Sequence, residues 1–148
     1  MKHINRWTII LLVFAGLLLS ACAPASTAAE EETKPVRLEP IEGTDLNHVI
    51  LTAEAAERLD IQTVSVSEAA ISGTQRTVIP YDAVLYEPSG ATWVYVSIEP
   101  LVFVRQLIVI DYIEGDQAIL LEGPDSGSMV VTLGAAELYG SESEFEEE

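Results

Sequence analysis

Between residues 48 and 134 the chain changes from apolar to polar at short, regular intervals. "HVILT" (48–52) predicts a strand. "TAEAAERLD" (52–60) predicts one helix of about two turns: Thr52 can cap it, Glu54 lies in its first turn, and Glu54 and Arg58 stand four apart. "IQTVSVS" (61–67) returns to a period of two. From Val78 onward the pattern is strand and turn throughout. "VIPYDAVLYE" (78–87) carries Pro80, which cannot donate to a ladder and should start or edge a strand. "ATWVYVSI" (91–98) puts Val94, Val96 and Ile98 on one face and Trp93 and Tyr95 on the other. "LVFVRQLIVI" (101–110), "QAILLE" (117–122) and "SMVVTLG" (128–134) follow, separated by the turn sequences "EGD" and "GPDSG". Short strands at this spacing predict a mainly β, mostly antiparallel roll or barrel with one short helix. The expected core is Val49, Leu51, Leu59, Val64, Val84, Val94, Val96, Phe103, Ile108, Ile119, Leu121, Val130 and Leu133.

The two ends do not fit this pattern. Lys2 and Arg6 precede an uncharged run of 11 residues, Ile9 to Leu19. A bilayer span needs about 20 residues, so the run reads as a signal peptide rather than a transmembrane helix. Leu19-Ser20-Ala21-Cys22 resembles the lipobox of bacterial lipoproteins. The resemblance implies removal of residues 1–21 and attachment of diacylglycerol to Cys22, the only cysteine of the chain. Two or more acyl chains make a stable anchor where one does not. Residues 22–47 then form a lipidated N-terminus and flexible tether. Residues 48–139 form the β domain, and "GSESEFEEE" (140–148) is expected as a disordered acidic tail. No disulfide can support the domain, so its stability must come from packing.

Charge narrows the partners. The chain carries a formal charge of −17. Without residues 1–21 it keeps five basic residues against 24 acidic ones, a formal charge of −19. Such a surface repels phosphate backbones and excludes nucleic-acid binding as a function class. It also repels anionic lipid, which leaves membrane attachment to Cys22.

Catalytic chemistry is sparse. Outside the signal segment there is one histidine, His48, placed inside a predicted strand. "PDSGS" (124–128) is similar to the segment around the serine of chymotrypsin-like proteases, but a turn between two strands explains the same letters, and a triad needs a placed His and Asp. "DYIEGD" (111–116) has three carboxylates near a glycine without the Asp/Asn ladder of a calcium loop, and reads as a solvated turn. Met129 is the only methionine beyond the N-terminus, which argues against a methionine-based copper or silver site. The chain is therefore expected to be no enzyme, and to hold no cofactor and no metal.

"VIPYDAVLYEPSGATWVYV" (78–96) and "FVRQLIVIDYIEGDQAILLEGPDSGSMVVTLGAAEL" (103–138) resemble the C-terminal part of periplasmic adaptor subunits, the membrane fusion or HlyD-like proteins of RND-type and ABC-type efflux pumps. The matching positions are Ile79-Pro80, Ala83-Val84, Gly90, Trp93 to Val96, Phe103, Ile108, Gly115-Asp116, Leu121 to Gly123, Gly127, Val130-Val131, Gly134-Ala135 and Leu138. "VILTAEAAERLDIQTVSV" (49–66) resembles the stretch that opens the ordered part of these adaptors. A full adaptor carries a coiled-coil hairpin, a lipoyl-like domain and a β-barrel between these stretches. Here only "SEAAISGTQRT" (67–77) stands between them. What the resemblance implies is the membrane-proximal domain alone, a β-roll completed by its N-terminal strand.

The resulting expectation is a lipid-anchored, non-enzymatic adaptor-like protein of the cell envelope, facing the periplasm or cell exterior. Its expected partners are the membrane, through the anchor, and an efflux transporter or full-length adaptor. The alternative is a lipoprotein binding module outside transport, for ligand sensing or envelope-protein stabilisation. Trp93 and Tyr95, on one strand face, are the candidate partner contacts, with the loops at 87–90, 111–116 and 123–127 beside them.

Overall fold

In the computed structural model, which describes residues 34–146, the apolar runs become ten strands in one antiparallel sheet. These are β1 (Val36–Pro40), β2 (Asn47–Leu51), β3 (Gln62–Ser65), β4 (Ser67–Ile71), β5 (Thr74–Pro80), β6 (Leu85–Tyr86), β7 (Thr92–Glu99), β8 (Val102–Glu114), β9 (Gln117–Glu122) and β10 (Met129–Leu133). Helix α1 (Ala53–Arg58) follows β2 and helix α2 (Ala135–Glu146) follows β10. The mainly β, barrel-like class expected from the spacing is what forms, with the short helix at its predicted place.

The local signals act as their chemistry requires. Thr52 Oγ1 accepts the amide of Ala55 at 3.1 Å, and Arg58 pairs with Glu54 at 2.8 Å. Pro80, expected to start or edge a strand, instead ends β5, which lies between β9 and β4, and the amide of Tyr81 then bonds the carbonyl of Asp116. Ser72 and Gly73 both have positive φ, the conformation that matches a two-residue turn to the twist of a hairpin, and they join β4 to β5.

The main strand path runs β3–β10–β7–β8–β9–β5–β4, with β2 on β8, β1 on β2 and β6 on β7. β8 turns this path into a curl. Its first half pairs with β2 and β7, and its second half with β9. Two register shifts around Ile110 separate the halves, the kind of irregularity that bends a long strand. The curl brings the path's ends together, because β3 runs directly into β4 through Val66. The Val66 amide bonds the Ser128 carbonyl at 2.8 Å and its carbonyl accepts the Gly127 amide at 2.9 Å.

The sheet buries both of its faces, giving two cores. Inside the curl lie Val66, Ile79, Ala83, Val94, Val96, Ile108, Ala118, Leu120 and Val130. On the helix side, Val36, Val49, Leu51, Tyr95, Phe103 and Val131 pack with Ala55 of α1 and with Ala135 and Leu138 of α2. β7 therefore supplies apolar residues to both sides.

Four expectations change. Val64, Leu121 and Leu133 are 43%, 59% and 46% exposed and leave the core. Val64 sits on β3, which has a neighbour on one side only. In "QAILLE" it is Leu120 that points inward, and Leu133 follows a register shift in β10. Leu59 and Val84 are half-buried. Second, residues 36–40 are not tether: they form β1, with Val36 in the core. Third, residues 67–77 are no mere connector but most of the β4–β5 hairpin that completes the curl. Fourth, the expected acidic tail from residue 140 continues α2 as helix to Glu146.

Candidate functional site

The strand run "LVFVRQLIVI" contains one charge, Arg105, and the buried polar chemistry of the described residues gathers around it. β8 sets Arg105 directly across from Tyr95 of β7, and opposed residues of an antiparallel pair share a face. That face is the one α2 covers. Trp93, two residues before Tyr95, lies on the same side. Leu138 anchors α2 in the core at 0% exposure, and Glu142, one helical turn later, is brought down onto the arginine.

The contacts are close. Arg105 Nε lies 2.9 Å from Glu142 Oε2, and Arg105 Nη1 donates to Glu87 Oε1 at 2.8 Å. The Tyr95 hydroxyl donates to Glu142 Oε2 at 2.5 Å. The guanidinium carbon stands 5.4 Å from the centroids of both the Trp93 and Tyr139 rings, within cation–π range. Glu142 is 1% exposed, and Tyr95 is fully buried. Glu142 Oε1 and the Trp93 indole Nε1 find no hydrogen-bond partner among the described residues, and Arg105 Nε meets Glu142 as an ion pair without hydrogen-bond alignment. The site thus holds a carboxylate firmly by one oxygen and leaves the other unmatched.

Burial raises the pKa of Tyr95, and the hydrogen bond to Glu142 raises it further. Unfolded tyrosine ionises near pH 10, so above that pH the folded chain holds a proton that the unfolded chain has lost. Stability from this group is complete below about pH 10 and falls by about 1.4 kcal/mol per pH unit above it, until the folded pKa is passed. Urea melts between about pH 9 and 11.5 should show a slope shallower by one proton in Tyr95→Phe than in the wild type. Equal slopes would place the tyrosine in a wetter site.

The second feature is an open apolar groove of about 500 Å³ lined by Tyr86, Gly90, Ala91, Thr92 and residues 107–110. Tyr86 and Leu107 are 55% and 51% exposed, and Val109 is exposed beside them. The turn "EPSG" shapes one wall: the Gly90 amide bonds the Glu87 carbonyl, and the Thr92 hydroxyl bonds the Ile108 carbonyl at 2.8 Å. The groove is therefore wet at the rim and apolar along β8.

These positions correct the expected contact surface. Tyr95 is not available to a partner, because β7 is covered on this face by α2. Trp93 is half-buried against Arg105. The exposed aromatic at the 87–90 loop is Tyr86. Glu87, Arg105 and Glu142 did not stand out in the sequence. A lone arginine in a β-branched run was the available signal for Arg105, whereas Glu142 differs from its acidic neighbours only by standing four residues after Leu138. Cys22 lies outside the described residues. Within "DYIEGD", Asp111 pairs with Arg76 at 2.5 Å. Among the described residues no group of three or more His, Cys, Asp or Glu gathers as metal ligands, and no helix is long and apolar enough to cross a membrane. Comparison of the chain with known protein families, curated proteins and solved structures finds no match.

Proposed function

We propose that this is a lipid-anchored, non-enzymatic adaptor-like protein that docks its β-roll on an efflux transporter or on a full-length adaptor. The observation that carries the reading is the open apolar groove at β6, β7 and β8, with Tyr86, Leu107 and Val109 exposed. A groove with apolar walls and no poised acid or base is a contact surface. It lies at the 87–90 loop, one of the loops expected to face a partner. Positions that carry the resemblance to adaptor subunits fall where the chain turns: Pro80 at the end of β5, Gly115 between β8 and β9, Gly127 before β10 and Gly134 before α2. Pairing of β2 with β8 and of β3 with β10 joins the adaptor-like stretch 49–66 to the stretch 103–138, which supports a roll completed from its N-terminal side.

Photo-crosslinking from position 107 in native membranes tests this. The expected product contains a transporter or an adaptor, and adding Tyr86→Asp, across the groove, should abolish it. A crosslinked envelope protein unrelated to transport, with efflux unchanged on deletion, would favour the binding-module alternative. Attachment is tested separately. Cys22→Ser should move the protein from washed membranes to the soluble fraction, because a run of 11 apolar residues binds weakly and the acidic surface is repelled. An uncleaved Cys22→Ser protein that stays on the membrane would point to a transmembrane signal anchor.

A further inference from the structure

We infer that the second half of β8 is an open sheet edge that takes one further strand, and that this strand is an extended basic segment of a partner protein. The inference rests on the reading of the groove as a contact surface and names the element that occupies it.

β8 outruns its neighbour. β7 begins at Thr92, opposite Ile108 of β8. β8 continues to Glu114, and from Val109 on it pairs with β9 alone. Among the described residues no strand pairs with the other side of residues 109–114. An unpaired edge presents backbone donors and acceptors that template a further strand. The apolar groove opens at the start of this edge, where Tyr86, Leu107 and Val109 are exposed. The curl also lacks a wall here. Ile110 stands across from Leu120 and Ile113 across from Ala118, so both isoleucines share the curl's inner face. Ala118 is buried, yet Ile113 is 44% exposed. A strand laid beside residues 109–114, in line with β7, would cover Ile113 and set one end in the groove. At about 3.3 Å per residue the open stretch is about 20 Å long, so the added segment needs about six extended residues.

Natural edges are guarded against chance pairing by lysine, proline or an inward-pointing charge. "VIDYIE" (109–114) has no lysine and no proline, and its mid-stretch charge, Asp111, is paired with Arg76 of β5, on the β9 side. Charge then selects the occupant. Glu114 and Asp116 at the hairpin tip, and Glu122 across from Val109, are exposed and carry no ion pair among the described residues. Opposite charges stabilise a cross-strand pair and like charges destabilise it. A second copy of the chain would bring the same carboxylates together, so the edge disfavours self-pairing. A segment alternating Lys or Arg with β-branched residues matches both the acidic surround and the apolar groove, and the chain's formal charge of −17 attracts it from a distance.

The test uses the full-length chain and a labelled heptapeptide that alternates lysine with valine. The peptide should bind more weakly as salt rises, and a glutamate–valine peptide should bind about tenfold less tightly. Methylating one alternate set of the peptide's backbone nitrogens should abolish binding, whereas methylating the other set should be tolerated, because only one set faces β8. Amide exchange at residues 109–114 should slow in the complex. Ile113→Lys, which places a guard on the edge, should weaken binding about tenfold. Should Ile113→Lys not fold, Glu114→Lys combined with Asp116→Lys, at two exposed positions, carries the measurement and should turn the preference toward the glutamate peptide. Absence of binding, equal binding of the two charge types, equal effects of the two methylation patterns, or unchanged exchange at 109–114 would each overturn the added strand. Any of these leaves the contact-surface reading to the crosslink from position 107, and a crosslink to a protein outside transport would sink that reading whatever the peptide does.

Discussion

Arg105→Leu should destabilise the domain by about 3–5 kcal/mol, the cost typical of breaking a buried ion pair by removing one partner. That is a large part of the roughly 5–15 kcal/mol that holds a domain of this size together. The loss comes less from the missing attraction than from what remains. Without the guanidinium, Glu142 stays 1% exposed with only the Tyr95 hydroxyl as a donor. Glu87 loses its partner too, but its side chain is 22% exposed and can turn to water. The leftover charge of Glu142 therefore decides the size of the effect. It follows that Arg105→Leu combined with Glu142→Leu should be far milder than Arg105→Leu alone. Replacing both members of a buried pair with apolar groups of similar size is often neutral or stabilising. Urea midpoints of the wild type, the single variant and the double variant make the comparison. A double variant as unstable as the single one would show that arginine packing between Trp93 and Tyr139, not charge, holds the site.

The same cluster shows what could be read from the residues in advance. Interactions closed within a few positions were legible. Thr52 announced the start of α1, Gly90 and Gly115 announced turns, and the strands of the β7–β8 pair were long and β-branched enough to be unmistakable. The side on which a strand is buried was not legible for β7. Alternation assigns one face to the core and one to the outside, and that inference fails when a second layer covers the other face. The second layer is α2, and "GSESEFEEE" gives no helical apolar stripe to reveal it. Its position rests on Leu138 and on one glutamate whose partners, Arg105 and Tyr95, lie 37 and 47 residues earlier. β4 and β5 were hidden for a related reason. "SEAAISGTQRT" carries a single large apolar residue, Ile71, and becomes strand only because the curl supplies β9 as a neighbour. The acidic excess is likewise only partly a surface property. Among the described residues every arginine pairs with a carboxylate, and one of those carboxylates is in the interior.

Gly134→Ala should be the most damaging glycine substitution, at about 2–5 kcal/mol from strain and overpacking together. Gly134 joins β10 to α2 with φ at +82°, a left-handed conformation that costs a residue with a Cβ roughly 1–2 kcal/mol. Space makes the position worse. A Cβ there would stand 2.4 Å from Ile61 Cδ1 and 2.9 Å from the carbonyl oxygen of Leu59. The isoleucine methyl can rotate away, but the carbonyl belongs to the backbone that caps α1 and cannot move without shifting that helix. Gly43 provides the control. Its φ is also +82°, yet a Cβ would meet nothing within 4 Å, so Gly43→Ala should cost only the backbone strain. The difference between the two variants isolates the steric part. It also locates the damage, because Leu59 and Ile61 lie on one side of Gly134 and α2 on the other. If the junction fixes the direction in which the helix leaves the sheet, Gly134→Ala should raise amide exchange throughout residues 135–144 and expose Tyr95, whereas Gly43→Ala should leave both protected. Equal midpoints for the two variants, or unchanged exchange in α2, would mean that the clasp between Glu142 and Arg105 orients the helix without help from the turn that precedes it.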